Sequence, residues 1–396
     1  MSQTIFVLGG DGFCGWPLSL RLSKEGHRVV ILDNFSRRHI DLELDSNSLT
    51  QIRSLQKRIS TWNGMSMSGH PILFEMIDLS KEYRKLCLLI EKYRPSTIVH
   101  LAEIKSAPYS MRDPEHANVT IQTNVTITSN VLNAIVGTDA TIHLVHLGTM
   151  GVYGYGTFGE SVVPEGYLEV AFNNIKKEIV HPYNPGSVYH MTKCLDNQMF
   201  HTYNRLYNLA ITDLHQGIVW GFETVETSSH PDLVNRLDYD SEYGTVLNRL
   251  LVQTAFGHPL TVYGTGGQTR AFIHLVNSVD CICLAIYNRD FDLSRVRILN
   301  QMTECHCLQD IITMLVGHFG AEVQYIDNPR QEAASNKLSV CNKQFLDLGL
   351  TPIYLDRHAI SNMIEFIKTQ KGDINWEIIK PITYWPLKRD KIMLLK

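Results

Sequence analysis

The feature that most constrains the fold of this chain is a glycine-rich loop close to the first residue. An apolar run, Thr4–Gly9, predicts a buried strand. Gly9, Gly12 and Gly15 follow, then an amphipathic segment to residue 25 and a second apolar run to residue 32. A strand, a glycine turn, a helix and a strand in this order are typical of a unit that binds a dinucleotide, with the pyrophosphate at the helix N-terminus.

Asp33 ends the second apolar run, about 20 residues past the glycines, which is the usual place of the acidic ribose ligand. A carboxylate here accepts a hydrogen bond from a ribose 2′-hydroxyl and repels a 2′-phosphate. Asp33 therefore favours NAD over NADP. Arg37 and Arg38 lie close by in the sequence and keep the NADP alternative open, since an arginine accepts the phosphate.

The rest of the chain alternates between strand and helix patterns. Further strands are predicted at 72–77, 97–101, 141–147, 209–214 and 296–300, and helices at 48–62, 83–93, 115–136, 244–256, 274–287, 308–317 and from about 338. This alternation predicts an α/β fold: a doubly wound parallel, Rossmann-type sheet with a smaller C-terminal α/β substrate lobe. We expect the NAD domain to comprise 1–215 plus about 274–303, and the lobe about 216–273 plus 304–396.

Three polar residues are predicted at the carboxyl edge of that sheet. Tyr189 and Lys193 are four positions apart, so on a helix they share one face. A nearby ammonium favours the phenolate, and we expect it to lower the pKa of Tyr189 so that the phenol takes a proton from a sugar hydroxyl. Thr149 leaves the fifth strand at the same edge and is predicted to orient the same oxygen. The alternative for Thr149 is a strand-end hydroxyl bonded to backbone.

Composition excludes several classes of partner. The formal net charge of −4 gives no field for a polyanion, so no nucleic acid is expected. No run of about 18 apolar residues exists, so no membrane insertion is expected. The start of the chain has no signal or transit pattern, which predicts a cytoplasmic protein, or one of the plastid stroma if a transit segment was removed. The Cys281/Cys283 and Cys305/Cys307 pairs lack zinc-site spacing, so no metal is expected.

The motifs together resemble the extended short-chain dehydrogenase/reductase family of nucleotide-sugar enzymes. That family carries the glycine loop, a Ser or Thr at the Thr149 position and a Tyr-x-x-x-Lys pair. Longer blocks resemble, within that family, the subgroup that makes UDP-sulfoquinovose. They run from residue 5 to about 350 and comprise 9–16, 33–38, 106–111, 147–151, 236–240, 257–264 and 266–270.

This resemblance implies an enzyme that converts UDP-glucose and sulfite to UDP-sulfoquinovose and water. Bound NAD would oxidise C4 of the glucose, water would leave across C5 and C6, sulfite would add at C6, and C4 would be reduced again. The resemblance also implies a homodimer, a role in making a sulfolipid or sulfated glycan, and leaves open a protein that donates the sulfite. The same fold also serves UDP-sugar 4-epimerases and 4,6-dehydratases, and a non-catalytic NAD-sensing scaffold is a further alternative.

The motifs and the resemblance together predict site residues by position. The expected catalytic group is Thr149, Tyr189, Lys193 and His190. The expected cofactor group is Gly9, Gly12, Phe13, Cys14, Gly15, Asp33, Asn34, Arg37, Asp78, Leu79, Asn124, Tyr189, Lys193 and Gln216. The expected substrate group is Lys105, Thr149, Gln216, Arg236, Asn248, Arg249, Thr261, Gln268, Arg270 and Arg330. Arginines suit this last group because a guanidinium grips a pyrophosphate with two parallel hydrogen bonds.

The chain departs from related 4,6-dehydratases in one respect. Those enzymes carry an Asp-Glu pair after the threonine, where this chain has Met150 and Gly151. Neither residue transfers a proton, so the elimination needs other groups. His190 is the nearest titratable candidate, with a packing histidine as the alternative. Lys105 stands where the subgroup usually has arginine, which keeps the positive charge and loses the two-pronged fork.

Overall fold

The structure is a computed structural model that describes residues 2–65, 67–159, 161–289, 292–370 and 374–385. The strands, in chain order, are β1 (Thr4–Leu8), β2 (Arg28–Asp33), β3 (Leu73–Met76), β4 (Thr97–His100), β5 (His143–Leu147), β6 (Val162–Val163), β7 (Tyr167–Phe172), β8 (Ile175–Val180), β9 (Ile211–Gln216), β10 (Ile218–Trp220), β11 (Leu260–Tyr263), β12 (Gly267–His274), β13 (Arg297–Gln301), β14 (Glu304–Cys307), β15 (Val323–Ile326), β16 (Ser335–Asn336) and β17 (Ser339–Val340). The helices are α1 (Gly15–Lys24), α2 (Ser36–Glu43), α3 (Leu55–Asn63), α4 (Tyr83–Tyr93), α5 (Pro114–Thr138), α6 (Val188–Tyr207), α7 (Val246–Ala255), α8 (Leu275–Tyr287), α9 (Leu308–Phe319), α10 (Lys343–Asp347) and α11 (Arg357–Thr369).

Seven strands form the main sheet, in the order β13-β9-β5-β4-β1-β2-β3. All its neighbouring strands run parallel. The predicted doubly wound parallel sheet is therefore confirmed. Strand order reverses between β1 and β4, and in such sheets ligands bind in the crevice outside the carboxyl ends at that point. The glycine loop after β1 and the loop 101–113 after β4 flank this crevice.

The main sheet is covered on both faces because its side chains alternate between two apolar layers. In β1, Ile5 and Val7 join the layer that also holds Trp16 of α1, while Phe6 and Leu8 join the layer on the opposite face. All five side chains are fully buried. Burying each of them contributes roughly 1.5–3 kcal/mol. This two-sided burial explains why the strand reads as a continuous apolar run in the sequence.

The second half of the chain forms smaller sheets beside the carboxyl edge. β12 pairs with β10 on one side and with β14 on the other, β16 also pairs with β12, and β11 pairs with β15. Several hydrogen bonds connect this part to the glycine unit, among them Trp16 Nε1 to Leu233 O at 2.8 Å and Asn235 Nδ2 to Phe13 O at 3.0 Å. The second half is thereby fixed over the crevice.

Two predictions about local structure were wrong. The helix predicted at 48–62 forms only over α3, because residues 48–50 bond to residues 235–237 instead: Leu49 N donates to Leu237 O at 2.9 Å. The helical tail predicted from about 338 is divided among β17, α10 and α11. Helix α2 and the β7–β8 hairpin were not predicted. Only Ile40 is buried in α2, so its sequence carries no apolar stripe.

No helix in the described part of the chain is both long enough and apolar enough to cross a membrane.

Gly15 is the residue whose replacement should test this architecture most directly. A Cβ there would lie 2.3 Å from Gly9 O, and Gly9 itself has a positive φ of 80°. We expect Gly15→Ala to cost about 1–3 kcal/mol of unfolding free energy and to weaken NAD binding, as measured by thermal unfolding and by calorimetric titration with NAD. Gly317→Ala is the matched control: its Cβ would meet nothing within 4 Å, on the exposed side of α9. It should stabilise the protein by up to about 1 kcal/mol. Equal stability of the two variants would contradict the tight packing of α1 on the turn.

Candidate functional site

A cavity of about 380 Å³ opens at the switch point of the main sheet. Its walls come from the carboxyl ends of the strands, the start of α6 and the second half of the chain. Most predicted site residues line it: Gly9, Gly12, Phe13, Cys14, Gly15, Asp33, Asn34, Arg37, Leu79, Lys105, Thr149, Tyr189, His190, Lys193, Gln216, Arg236, Arg249, Gln268, Arg270 and Arg330. The cavity therefore brings together residues that are more than 300 positions apart in the sequence.

The glycine loop presents the N-terminus of α1 to this cavity. Gly12 N donates to Gly9 O at 3.1 Å, which closes the turn, and Trp16 N donates to Gly12 O at 3.1 Å, which starts the helix. No side chain caps α1 at its N-cap residue, Cys14. The first amides of a helix lack intrahelical partners, so here they remain for an anionic ligand.

Asp33 is held at the ribose position of this unit. Its carboxylate accepts from Asp11 N at 2.9 Å and from Phe35 N at 2.7 Å, which fixes both oxygens at the edge of the cavity. Burial, together with the nearby Asp11 carboxylate, raises the pKa of Asp33 to about 6. Asp33 is thus ionised at neutral pH and positioned to accept from a 2′-hydroxyl.

The two arginines that kept NADP open are already paired with carboxylates. Arg38 forms a two-pronged contact with Asp11, with Nε and Nη2 both donating. Arg37 pairs with Asp41 and Asp238 and stacks on Tyr243, with its guanidinium carbon 3.7 Å from the ring centroid. The charge of each guanidinium is thus already balanced by a carboxylate. The close approach at Gly15, the uncapped helix and Asp33 fit NAD.

Tyr189 reaches the cavity from the first turn of α6. Ser187 caps this helix by accepting from His190 N at 3.2 Å, and Tyr189 N donates to Ser110 Oγ at 3.0 Å. Ser110 belongs to the loop after β4, so the two elements fix each other. Tyr189 is 9% exposed, and its hydroxyl has no hydrogen-bond partner among the described residues. The phenol is therefore available to a ligand.

The predicted net fall in the pKa of Tyr189 was wrong. Burial raises the pKa of Tyr189 to about 12; Lys193 opposes this increase, while Glu103 and Asp196 add to it. The Lys193 ammonium forms an ion pair with Glu103 Oε2 at 2.9 Å and donates to Leu147 O at 2.8 Å. Its charge is already compensated, so it favours the phenolate less than the spacing alone suggests.

A wider buried network surrounds Lys193. His146 Nε2 lies 3.0 Å from Lys193 Nζ and 3.1 Å from Glu103 Oε1, and His146 Nδ1 lies 2.8 Å from Asp213 Oδ1. His100, Glu103 and His146 are close enough together to suggest a metal site. Because the Lys193 ammonium contacts two of the three at hydrogen-bond distance, it holds the position a cation would need.

Thr149 combines the two roles considered for it. Its side-chain oxygen accepts from Gly151 N at 3.1 Å, so it caps the short turn 150–153 that follows β5. The residue also lines the cavity. A hydroxyl that accepts from backbone keeps its own proton for donation. Thr149 can therefore donate to a ligand oxygen while it holds the turn.

His190 occupies the space that the missing carboxylate leaves. A Cβ on Gly151 would lie 2.2 Å from the imidazole Cδ2 of His190, so only glycine permits this ring position. Nδ1 lies 3.1 Å from Ser187 Oγ, and Nε2 has no partner among the described residues. Burial, with a smaller effect from Arg330 and Arg270, lowers the pKa of His190 to about 3. The imidazole is neutral at physiological pH.

Cationic groups line the outer part of the cavity. Arg249 donates to Tyr263 OH at 3.1 Å, Arg270 pairs with Glu332 and stacks on Tyr155, and Arg330 lies over Trp385. Arg236 also lines the cavity and pairs with Asp41 and Asp238 through Nε and Nη2. Lys105 forms no ion pair within 4 Å among the described residues; its ammonium lies 5.1 Å from the Phe13 ring centroid. Gln216, also in the wall, donates to Ser278 Oγ at 2.7 Å.

Four predicted site residues do not line the cavity. Asn124 is fully buried and bonds Ile104 N, Ile104 O and Thr192 Oγ1, so it shapes the loop after β4 rather than contacting a cofactor. Thr261 bonds Gln253 through both its backbone N–H and its hydroxyl. The Asp78 carboxylate accepts from Ser80 and pairs with Lys81. Asn248 is buried within α7.

Sequence reasoning missed the acidic partner of Lys193. Glu103 lies three residues beyond the end of β4, in the loop 101–113 that flanks the crevice. It is a charged residue between the apolar residues Ala102 and Ile104. His146 and Asp213 are fully or almost fully buried polar residues in the strands β5 and β9 of the main sheet. Charged residues are almost never fully buried unless they are paired, and this rule was the available signal.

Comparison with known proteins agrees with this geometry. Residues 5–298 match the model of the NAD dependent epimerase/dehydratase family. The chain is 38% identical over 388 residues to a chloroplastic UDP-sulfoquinovose synthase of Spinacia oleracea, covering 97% of this chain and 79% of that protein. It is also 38% identical over 389 residues to a UDP-sulfoquinovose synthase of Sulfolobus acidocaldarius, covering 96% of this chain and 97% of that protein.

Solved structures share the fold at much lower identity. A UDP-glucuronic acid 4-epimerase from Bacillus cereus, solved with UDP-glucuronic acid and NAD, superposes with a TM-score of 0.64 at 20% identity, covering 92% of this chain and 99% of that one. A UDP-glucose 4-epimerase from Thermotoga maritima, solved with UDP-glucose, gives 0.65 at 19%, covering 92% and 98%.

The contact between Gly151 and His190 can be tested by adding one methyl group. We expect Gly151→Ala to displace the imidazole and to reduce turnover by about tenfold or more, because a small misplacement of a reacting group carries that penalty. NAD binding, measured by calorimetry, should persist. Gly186→Ala is the matched control, since its Cβ would lie 4.0 Å from His190 Nδ1, an ordinary contact. Equal turnover in the two variants would contradict a functional position for His190.

Proposed function

Since this chain belongs to the NAD-dependent epimerase/dehydratase family, we propose that it uses its NAD to convert UDP-glucose and sulfite to UDP-sulfoquinovose and water. The observation that carries the proposal is the pairing of Gly151 with His190 beside the Thr149, Tyr189 and Lys193 group. It supplies a sugar-oxidising site in which an imidazole replaces the carboxylate of a 4,6-dehydratase. The two synthases that are 38% identical over almost the whole chain support the same reaction.

Oxidation at C4 requires a base and a donor on the same oxygen. When bound, NAD supplies the oxidation of the C4 hydroxyl and its later reversal. Tyr189 takes the hydroxyl proton and returns it in the closing step, and Thr149 donates to the oxygen throughout. Lys193 stabilises the phenolate form of Tyr189 during this proton transfer.

Elimination across C5 and C6 falls to His190. A neutral imidazole accepts a proton and has none to spare as an acid, so His190 suits removal of the C5 proton. When Nδ1–H donates to Ser187 Oγ, Nε2 carries the lone pair and is the free nitrogen. The protonated imidazole passes that proton to the C6 hydroxyl, which leaves as water. When bisulfite then adds its sulfur at C6, its proton reaches C5 through the same imidazole. The ketone at C4 makes both transfers feasible because it acidifies C5.

Binding of the two substrates divides between two groups of cations. Arg249, Arg270 and Arg330 in the outer wall suit the UDP pyrophosphate. Lys105, without a carboxylate partner among the described residues, suits the sulfite oxyanion; its ammonium lies beside Phe13 of the glycine loop. A single ammonium lacks the fork of arginine, so we expect sulfite to be held by fewer hydrogen bonds here than in arginine-bearing relatives.

We also propose that the protein is a homodimer. Exposed apolar side chains lie on adjacent helices: Leu88 of α4 is 63% exposed, Val119 of α5 40% and Leu206 of α6 63%. Apolar side chains exposed on helices that pack against one another are suited to burial against a second copy of the chain.

The reaction is tested with purified protein, NAD, UDP-glucose and sulfite, with products separated by chromatography and weighed by mass spectrometry. We expect a nucleotide sugar heavier than UDP-glucose by the mass of SO₂, and none without sulfite. Formation of UDP-galactose or of UDP-4-keto-6-deoxyglucose alone would instead establish the epimerase or the dehydratase. Absence of any conversion would favour the scaffold.

The role of Tyr189 is tested by deleting one oxygen. Tyr189→Phe should reduce product formation by about a thousandfold or more, since the base and the acid for C4 are lost together. NAD binding should persist, because the glycine loop and Asp33 do not depend on the phenol oxygen. Retention of near-normal turnover in this variant would overturn the assignment.

A further inference from the structure

Glu103 is a buried acidic residue beside Lys193, and the proposed reaction does not use it. Its side chain is 2% exposed, and its carboxylate lies 2.9 Å from Lys193 Nζ and 3.1 Å from His146 Nε2. Burial alone would raise the pKa of Glu103, but Lys193 and the two histidines outweigh that effect and hold the pKa well below its usual range. Glu103 is therefore a buried carboxylate that stays ionised.

Lys193 is held at three points on the sheet side of Tyr189. Glu103 contributes the charge, Leu147 O accepts at 2.8 Å from the end of β5, and His146 Nε2 lies at 3.0 Å. The ammonium is 4% exposed. An isolated charge at this depth would carry a large desolvation penalty, and removing its one close counter-ion would leave it uncompensated.

Other titratable groups facing Glu103 cannot take over this role. His100 from β4 lies 3.4 Å from Glu103 Oε1, and burial lowers its pKa to about 3, so it is neutral. Asp196 from α6 lies 3.7 Å from His146 Nε2, and burial raises its pKa well above the usual range, which disfavours the ionised form. Asp213 from β9 is engaged by His146 and His215.

We propose that Glu103 is a positioning residue of the sugar-oxidising site: it holds the Lys193 ammonium at the end of the sheet and thereby governs when Tyr189 ionises. With Glu103 in place, Tyr189 remains a phenol until ligands enter the cavity. Without it, the negative charge that opposes the phenolate is gone and the ammonium is free to approach the phenol. Both changes favour the phenolate, so removing Glu103 lowers the pKa of Tyr189. The inference rests on the proposed function only in taking Tyr189 as the base.

The test follows Tyr189 directly, without substrate. Full-length protein labelled at the tyrosine ring carbon that bears oxygen is titrated by NMR, and the Tyr189 signal is identified by its loss in Tyr189→Phe. We expect Glu103→Gln to make Tyr189 titrate at least about one pH unit lower than in the unmodified protein, a tenfold change in its ionisation constant. An unchanged or higher pKa in Glu103→Gln overturns the proposal.

Two further variants separate positioning from a general loss of a buried charge. Glu226→Gln is the matched control: Glu226 is a 1% exposed carboxylate paired with Arg21 and Lys24 at 3.1 and 3.0 Å, away from the cavity. It should leave the Tyr189 titration unchanged, and an equal shift there would overturn the proposal. Glu103→Asp keeps the charge and should restore most of the original pKa. If Glu103→Gln does not fold, the Tyr189 pKa is compared between Glu103→Asp and Lys193→Met. A pKa shift in Glu103→Asp that is smaller than the shift in Lys193→Met and opposite in sign supports the proposal. A shift of the same sign overturns it.

A double variant asks whether Glu103 acts through Lys193. In a Lys193→Met background, Glu103→Gln should shift the Tyr189 titration by less than half of what it does alone, as a double-mutant cycle measures. An undiminished shift would mean that the carboxylate acts on the phenol directly, which overturns the positioning role. The titrations need no substrate turnover. The proposed role of Glu103 can therefore fail while the sulfosugar reaction is confirmed, and the reaction can fail while the role of Glu103 is confirmed.

Discussion

The site depends on one buried ammonium. Lys193 lies at the carboxyl end of a parallel sheet with only 4% of its side chain exposed, and the surrounding elements compensate its charge. The loop after β4 supplies Glu103, β5 supplies His146 and the Leu147 carbonyl, and β9 supplies Asp213 behind them. Tyr189 shares the helix with Lys193, so the compensation also fixes the phenol. Chemistry and folding stability thus meet in the same ion pair.

The same principle of local compensation extends along the cavity wall. Arg38 and the buried Arg58 both pair with Asp11 beneath the glycine loop, and Arg236 pairs with Asp41 and Asp238 beside it. These arginines stabilise the wall and leave little charge for a ligand. Lys105 has no such partner in the described part of the chain, so it attracts an anion more strongly than these paired arginines do. Recognition is set by which cations remain unpaired, and a count of cations would miss this.

Sequence reasoning was most reliable where the physics is local. The glycine spacing and the apolar runs predicted the strand–turn–helix unit and the parallel sheet, because burial on both faces and close backbone approach leave a direct signature in the residues. It failed where long-range contacts decide. Residues 48–50 have helical spacing, yet they pair with a segment nearly 190 positions later. Asn124 and Thr261 are polar residues near ligand-facing segments, but they form their hydrogen bonds with other residues of the protein. The pKa of Tyr189 was misjudged because the counter-ion of Lys193 lies 90 positions earlier in the chain.

The fit between Gly151 and His190 has a consequence for how such enzymes diverge. An Asp-Glu pair cannot be introduced at 150–151 one residue at a time, because any side chain at 151 collides with the imidazole before it can take over its task. Conversely, the histidine has no room while a carboxylate side chain stands there. A side chain at 151 and the present position of the His190 ring therefore exclude each other, and under the proposed reaction a lineage passing between the two arrangements must change both positions together.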